Sequence, residues 1–178
     1  MKPLELINKY YNDNEQLREL LLRHSTDVAN KALEIANNHP ELAIDTDFVY
    51  EAAMLHDIGV FLTDAPAIHC FGKERYIRHG ILGAELLRRE GFPLHARVAE
   101  RHTGAGITAE DIRQQQLPLP AVDMLPETIE EKLICYADKF FSKSRPETEK
   151  TLEAASRSLQ KFGGETQARF ESLITLFG

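Results

Sequence analysis

Apolar side chains along this chain recur at intervals of three and four residues, the spacing that gathers them on one face of a helix. From Asp13 or Asn14 to Asn38 the row Leu17, Leu21, Val28 and Ile35 predicts a long helix, and His24 falls in the same seam, so it faces inward. A second helix is predicted from about Asp47 to Phe61, with Thr46 or Asp45 able to cap it. Its adjoining rows, Phe48, Ala52, Leu55 and Val49, Ala53, His56, both read as buried. Asp64 to Arg75, broken by Pro66 and Gly72, reads as a loop. Ile77 to Arg89 is a helix that His79 opens and Gly91 stops, with Leu82 and Leu86 inside.

Pro93 suits a first helical position, and the helix it begins ends at Thr103 with Val98 and His102 on one side. Thr108 to Gln115 is a short helix in which Thr108 and Asp111 resemble a capping box. A helix starting at Pro126 carries Ile129, Leu133, Ala137 and Phe140 in one row and Ile134, Asp138 and Phe141 in the next, which draws an acid into an apolar border. Two last helices, about Glu147 to Phe162 and Glu165 to Phe177, flank Gly163-Gly164 and offer Leu152, Leu159, Phe170, Ile174 and Phe177 to a core. No segment alternates and no repeat appears, so the fold class is all-α, a single-domain irregular helical bundle over residues 1–178 with any strands minor.

A chain of 178 residues can bury a core without staples. Its net charge of -7 argues against an extended nucleic-acid surface, because such a surface neutralises phosphates with Lys and Arg. An anionic substrate must therefore be captured locally. Cys70 and Cys135 match neither a disulfide framework nor a thiolate zinc pattern and read as packing residues of a reducing compartment. Residues 1–16 lack a leader pattern and no stretch reaches the length of an apolar span, so a cytoplasmic location away from membranes is expected.

Against this background six residues stand out: His24, the adjacent pair His56-Asp57, His79, His102 and Asp138. A single inward histidine is more often a satisfied core residue than a ligand, and a His-Asp dipeptide is common by chance. Six such groups, each at a helix end or within an apolar face, share one explanation, since buried ionisable groups must be paired or bound to metal. Imidazole and carboxylate suit Fe, Mn, Co, Ni or Zn. His95, near a helix start, reads as solvated, and His39 beside Pro40 as turn surface. Glu85 and Glu100 read as wet helix faces, and Phe140, Phe141 and Tyr136 as core before stacking platforms.

In this ordered set, His24, then His56-Asp57, then Asp138, the chain resembles the HD-domain superfamily of metal-dependent phosphohydrolases over roughly Leu20 to Arg145. With His79 in Arg78-His79-Gly80 and His102 in Arg101-His102-Thr103, it is similar to the two-metal subgroup that includes the diadenosine-polyphosphate hydrolase branch. The resemblance implies a metal-binding core over 20–145 and a C-terminal helical scaffold over 147–178. It implies that His24, His56, Asp57 and Asp138 hold one divalent ion and His79 and His102 a second, with Asp57 bridging. Asp57, His79 and His102 would then be the catalytic group, hydrolysing a nucleotide or other small phosphate ester or anhydride through a metal-bridging hydroxide. Arg78, Arg101, Lys139, Lys143 and Arg145, beside the ligands in sequence, are candidates to neutralise phosphate oxygens. The loop bearing His69, Lys73 and Arg75 is a candidate pocket wall. Val60 stands where many two-metal phosphodiesterases of this kind have Lys, which weakens a cyclic-dinucleotide reading. The same ligand set would also serve a di-iron oxygenase or a non-catalytic nucleotide-binding module, and the apolar C-terminal helices leave a homodimer open.

Overall fold

The computed structural model describes residues 2–144 and 148–178. Helix α1 (Pro3–Tyr11) precedes the first helix expected from the sequence and buries Leu6, Ile7 and Tyr11, an amphipathic row hidden by its shortness. Helix α2 (Glu15–Asn38) starts where the Asn14 side chain accepts from the Leu17 amide, a cap that satisfies one free N–H of the first turn. Helix α3 (Thr46–Leu55), capped by Asp45, is shorter than expected, because His56 to Gly59 turn away and a 3-10 turn covers Val60–Leu62. The stretch read as a loop holds three short strands, β1 (Thr63–Ala65), β2 (Cys70–Phe71) and β3 (Glu74–Arg75), in the order β2-β1-β3. Strand β1 pairs antiparallel with β2, Asp64 opposite Phe71, and parallel with β3, Asp64 opposite Arg75. At two or three residues each, they are too short to show an alternating pattern in sequence.

A 3-10 turn, Tyr76–Arg78, leads into α4 (His79–Arg89), which ends before Gly91 at φ +86°, a left-handed position suited to glycine. Helix α5 (Pro93–Arg101) packs along α4, and α6 (Ala109–Gln114) has the capping box of Thr108 and Asp111. Helix α7 (Ile129–Asp138) begins at the Thr128 cap, not at Pro126, because the Thr128 hydroxyl accepts from the Glu131 amide. Helices α8 (Leu152–Leu159) and α9 (Gly164–Phe177) follow; the expected start at Glu147 lies outside the described residues. One hydrophobic core runs from Leu6 of α1 through α2, α3, α4, α5 and α7 to Phe170 and Phe177 of α9. The chain is thus a largely helical single domain with a small sheet as its β component. None of the helices among the described residues is long and apolar enough to cross a membrane.

Candidate metal centre

Three of the six singled-out residues sit where a helix begins or has just ended: His56 follows α3, His79 opens α4 and His102 follows α5. Each uses Nδ1 on the carbonyl three residues earlier: His56 on Ala53 at 2.6 Å, His79 on Tyr76 at 2.7 Å and His102 on Ala99 at 2.8 Å. A carbonyl can only accept, so Nδ1 carries the proton, and in the neutral ring Nε2 keeps a free lone pair. His24, in the middle of α2, and Asp138, the last residue of α7, bring the remaining donors from facing helices.

All six side chains are buried, and the two oxygens of Asp57 divide between two groups. Oδ2 lies 3.1 Å from His24 Nε2 and 3.0 Å from His56 Nε2, and Asp138 Oδ1 completes that group at 3.1 and 3.5 Å from the same nitrogens. Oδ1 lies 3.3 Å from His79 Nε2 and 3.4 Å from His102 Nε2, which are 3.1 Å apart. His24, His56, Asp57 and Asp138 therefore form one set of donors, and Asp57, His79 and His102 another, each set within 4.8 Å.

Several of these atoms are close without being hydrogen-bonded: His24 Nδ1 and Nε2, His56 Nε2 and Asp57 Oδ1 are buried with no hydrogen-bond partner, and Asp57 Oδ2 has only the Lys143 ammonium beside it to offset its burial. Leaving so many polar atoms unsatisfied in one place is costly, and lone pairs converging on a common cation account for it. A metal–donor distance of ~2.1 Å sets neighbouring donors about 3.0 Å apart in an octahedron and about 3.4 Å apart in a tetrahedron, so the observed spacings fit divalent ions of the imidazole-and-carboxylate class.

The fields inside the cluster follow from this crowding. Burial raises the Asp57 carboxyl, but His56 and Lys143 outweigh it and hold the group well below the ordinary carboxylate range. Asp138 is likewise held low, burial being outweighed by Lys139 and His24. For His56, burial opposes the charged ring, yet Asp57 and Asp138 raise it to about 9. His79 moves the other way, to about 3, because burial, aided by His102 and Lys143, outweighs Asp57.

The expected phosphate-binding residues separate into two pairs. Lys143, from the segment after α7, places its ammonium against Asp57 Oδ2, and Lys139 Nζ lies 2.6 Å from Asp138 Oδ2. Arg78 is instead paired with Glu74 at 3.0 Å, and Arg101 with Glu127 at 2.7 Å while donating to the Leu125 carbonyl. Each arginine is held by a carboxylate outside the cluster, Glu74 for Arg78 and Glu127 for Arg101. Arg145 lies outside the described residues. His95, expected in solvent, is half-buried between the rings of Phe48 and Phe92, at 5.0 and 5.3 Å, with Nε2 3.4 Å from Glu51.

A cavity of about 450 Å³ opens beside the cluster, lined by Asp138, Lys143 and Tyr76, by Phe141, Leu159 and Phe162, and by Ser142, Ser144 and Ser158. Ala67 and Ile68 of the loop after β1 line it, whereas His69, Lys73 and Arg75 do not. Tyr76 escaped the sequence reading. Its ring stacks on His79 at 4.7 Å, and its place three residues before a singled-out histidine was the available signal.

Gly59 explains the tight packing of the His-Asp turn against α4. A Cβ there would lie 2.3 Å from the His79 carbonyl and 2.4 Å from the Gly83 nitrogen, so only glycine lets the Asp57 turn approach the helix that carries His79.

Residues 21–142 match the family model described as HD domain. The chain is 35% identical over 147 residues to an uncharacterized protein of Methanocaldococcus jannaschii, covering 80% of this chain and 79% of that protein. It is 38% identical over 133 residues to a protein of Picrophilus torridus named tRNA (cytidine(56)-2'-O)-methyltransferase, and 33% identical over 140 residues to one of the same name from Thermoplasma volcanium. These matches cover 74% and 78% of this chain but only 34% and 35% of those relatives, so the chain spans about a third of their length. In fold it is similar to the HD domain of the L. monocytogenes phosphodiesterase PgpH, with a TM-score of 0.55 at 15% identity over 96% of both chains. By its sequence match and its fold, the chain belongs to the HD domain family.

Proposed function

We propose that this protein is a metal-dependent phosphohydrolase acting on a nucleotide or other small phosphate ester. The observation that carries the reading is the division of the buried Asp57 carboxylate between two sets of donors at the edge of a cavity. Divalent cations in such sites supply an activated water and neutralise phosphoryl oxygens. The chain's own residues do the rest. The Nδ1–carbonyl bonds of His56, His79 and His102 fix their rings before anything binds, and the buried cluster keeps bulk water from its inner side. In hydrolysis the water oxygen bonds to phosphorus, the P–O bond to the leaving group breaks, and a water proton ends on the departing oxygen.

Lys139 and Lys143 line the cavity, so two ammonium groups stand at the site beside Asp138 and Asp57 despite the net charge of -7. The methyl transfer named for two relatives belongs to proteins of which this chain covers a third. The test is elemental analysis of purified protein, followed by phosphate release from a panel of esters under Mn, Fe, Co, Ni and Zn. Metal-dependent release that disappears with the bound metal in Asp57→Ala is expected. Oxygen consumption by the ferrous protein in place of phosphate release would move the site to the oxygenase class. Nucleotide binding without turnover under every metal would make it a binding module.

A further inference from the structure

The junction between cluster and cavity is built from two side chains that do not complete either donor set. The stem of Lys143 lines the cavity while its ammonium rests on Asp57 Oδ2, the oxygen facing His24 and His56. Tyr76 reaches the same place: its carbonyl accepts from His79 Nδ1, its ring stacks on the His79 ring, and its side chain lines the cavity together with Lys143. A cation held by Asp57 would repel an ammonium on the same carboxylate, and the cavity that Lys143 already lines gives its flexible stem room to turn. The rest of the lining is mixed: Phe141, Leu159 and Phe162 give it apolar area, and Ser142, Ser144 and Ser158 give it hydroxyls.

We propose that Lys143 and the Tyr76 phenol grip the phosphoryl oxygens of a phosphate monoester at this junction, and that Phe141, Leu159 and Phe162 take up the flat apolar part of the same substrate. The inference rests on the phosphohydrolase reading for its reaction, though not for its binding site. Lysine serves as a point charge on phosphate, and the phenol O–H adds a directed donor. Phe141, Leu159 and Phe162 offer apolar area that a flat ring covers and a sugar alone does not, so a ring-bearing ester is preferred over a sugar phosphate. At about 450 Å³ the cavity lies in the lower half of the ~300–1,000 Å³ range of small-molecule sites, room for one ring system and its phosphate.

The experiment uses the manganese-loaded full chain titrated calorimetrically with inorganic phosphate, with metal content measured in every variant. Lys143→Met is expected to weaken phosphate binding by about tenfold or more, Tyr76→Phe by about threefold, and Lys143→Arg to restore most of the loss, all at unchanged metal content. In turnover, Phe162→Ser should reduce the preference for adenosine 5′-monophosphate over ribose 5-phosphate, read as the ratio of kcat/KM values, by about fivefold. Phosphate binding unchanged in both Lys143→Met and Tyr76→Phe overturns the clamp, as does a loss that merely follows a loss of metal. An unchanged ratio in Phe162→Ser overturns the apolar subsite. If the wild type hydrolyses no ester yet binds phosphate through Lys143, the clamp stands and the hydrolase reading falls; if it turns over with binding indifferent to Lys143 and Tyr76, the reverse holds.

Discussion

Replacing Gly59 with alanine tests the geometry of the two donor sets without touching a donor. The new Cβ would lie 2.3 Å from the His79 carbonyl oxygen and 2.4 Å from the Gly83 nitrogen, both backbone atoms, and real Cβ contacts stay beyond 3.0 Å. Relief therefore requires the turn and the start of α4 to separate by at least 0.7 Å, the difference between 3.0 and 2.3 Å. Metal–ligand distances tolerate only about ±0.2 Å, so His79 is carried out of range of a cation shared with Asp57. The set formed by His24, His56, Asp57 and Asp138 draws nothing from α4. If each donor set holds an ion, elemental analysis should thus show the ion of the His79 and His102 set lost and the other retained. Overpacking costs about 1–3 kcal/mol, and at about 2–4 °C per kcal/mol for a chain of this size the melting temperature should fall by about 2–12 °C. Gly83→Ala, whose Cβ comes no closer than 3.1 Å to the Gly59 nitrogen, is the milder control. Gly59→Ala protein with wild-type metal content and melting temperature would refute the account.

Three further outcomes are expected. Chelation should lower the melting temperature, since a ligand bound only to the folded state contributes about 2.7 kcal/mol at a hundred times its Kd, and an indifferent melting curve would count against bound metal. Tyr11→Phe removes the buried O–H that donates to the Ile58 carbonyl at 2.8 Å, beside the His-Asp turn, and should cost about 1–3 kcal/mol in urea unfolding. Burial among Phe48 and Phe92, opposed by Glu51, lowers the His95 pKa. As pH falls below 6.5 the unfolded chain therefore takes up this proton first and stability is lost; His95→Asn should lose less between pH 7.5 and 5, and an equal loss in both would show His95 to be inert.

The long helices were legible because their apolar rows repeat over several turns, as Leu17, Leu21 and Val28 do on α2. Helix α1 and the sheet were not, since nine residues give little more than two turns and strands of two residues give no period. The donors could be read from the order of His24, His56-Asp57, His79, His102 and Asp138, whereas the direction of their basic neighbours could not. Arg101 turns to Glu127 while Lys143 turns to Asp57, a difference set by which partners the tertiary fold supplies. Tyr76 had a weaker signal, its place three residues before His79; that its ring stacks on His79 follows only from the tertiary fold.

The helix ends account for how such a cluster can be assembled in a core. The last turn of a helix leaves carbonyls without an intrahelical partner, and a histidine just beyond can fold its ring back onto one of them. His56 does this with Ala53 and His102 with Ala99, so one bond both satisfies an orphan carbonyl and fixes which nitrogen faces inward. The 3-10 turn before α4 gives His79 the equivalent acceptor in Tyr76. A histidine in mid-helix has no free carbonyl to use, and the buried Nδ1 of His24 is indeed without a partner. The three terminal histidines are therefore oriented by the backbone, and His24 by the groups that its Nε2 meets. Replacing His24 should consequently disturb the rings of His56, His79 and His102 less than replacing any of those three disturbs its own turn, a difference that backbone amide exchange at Ala53, Tyr76 and Ala99 neighbours can measure.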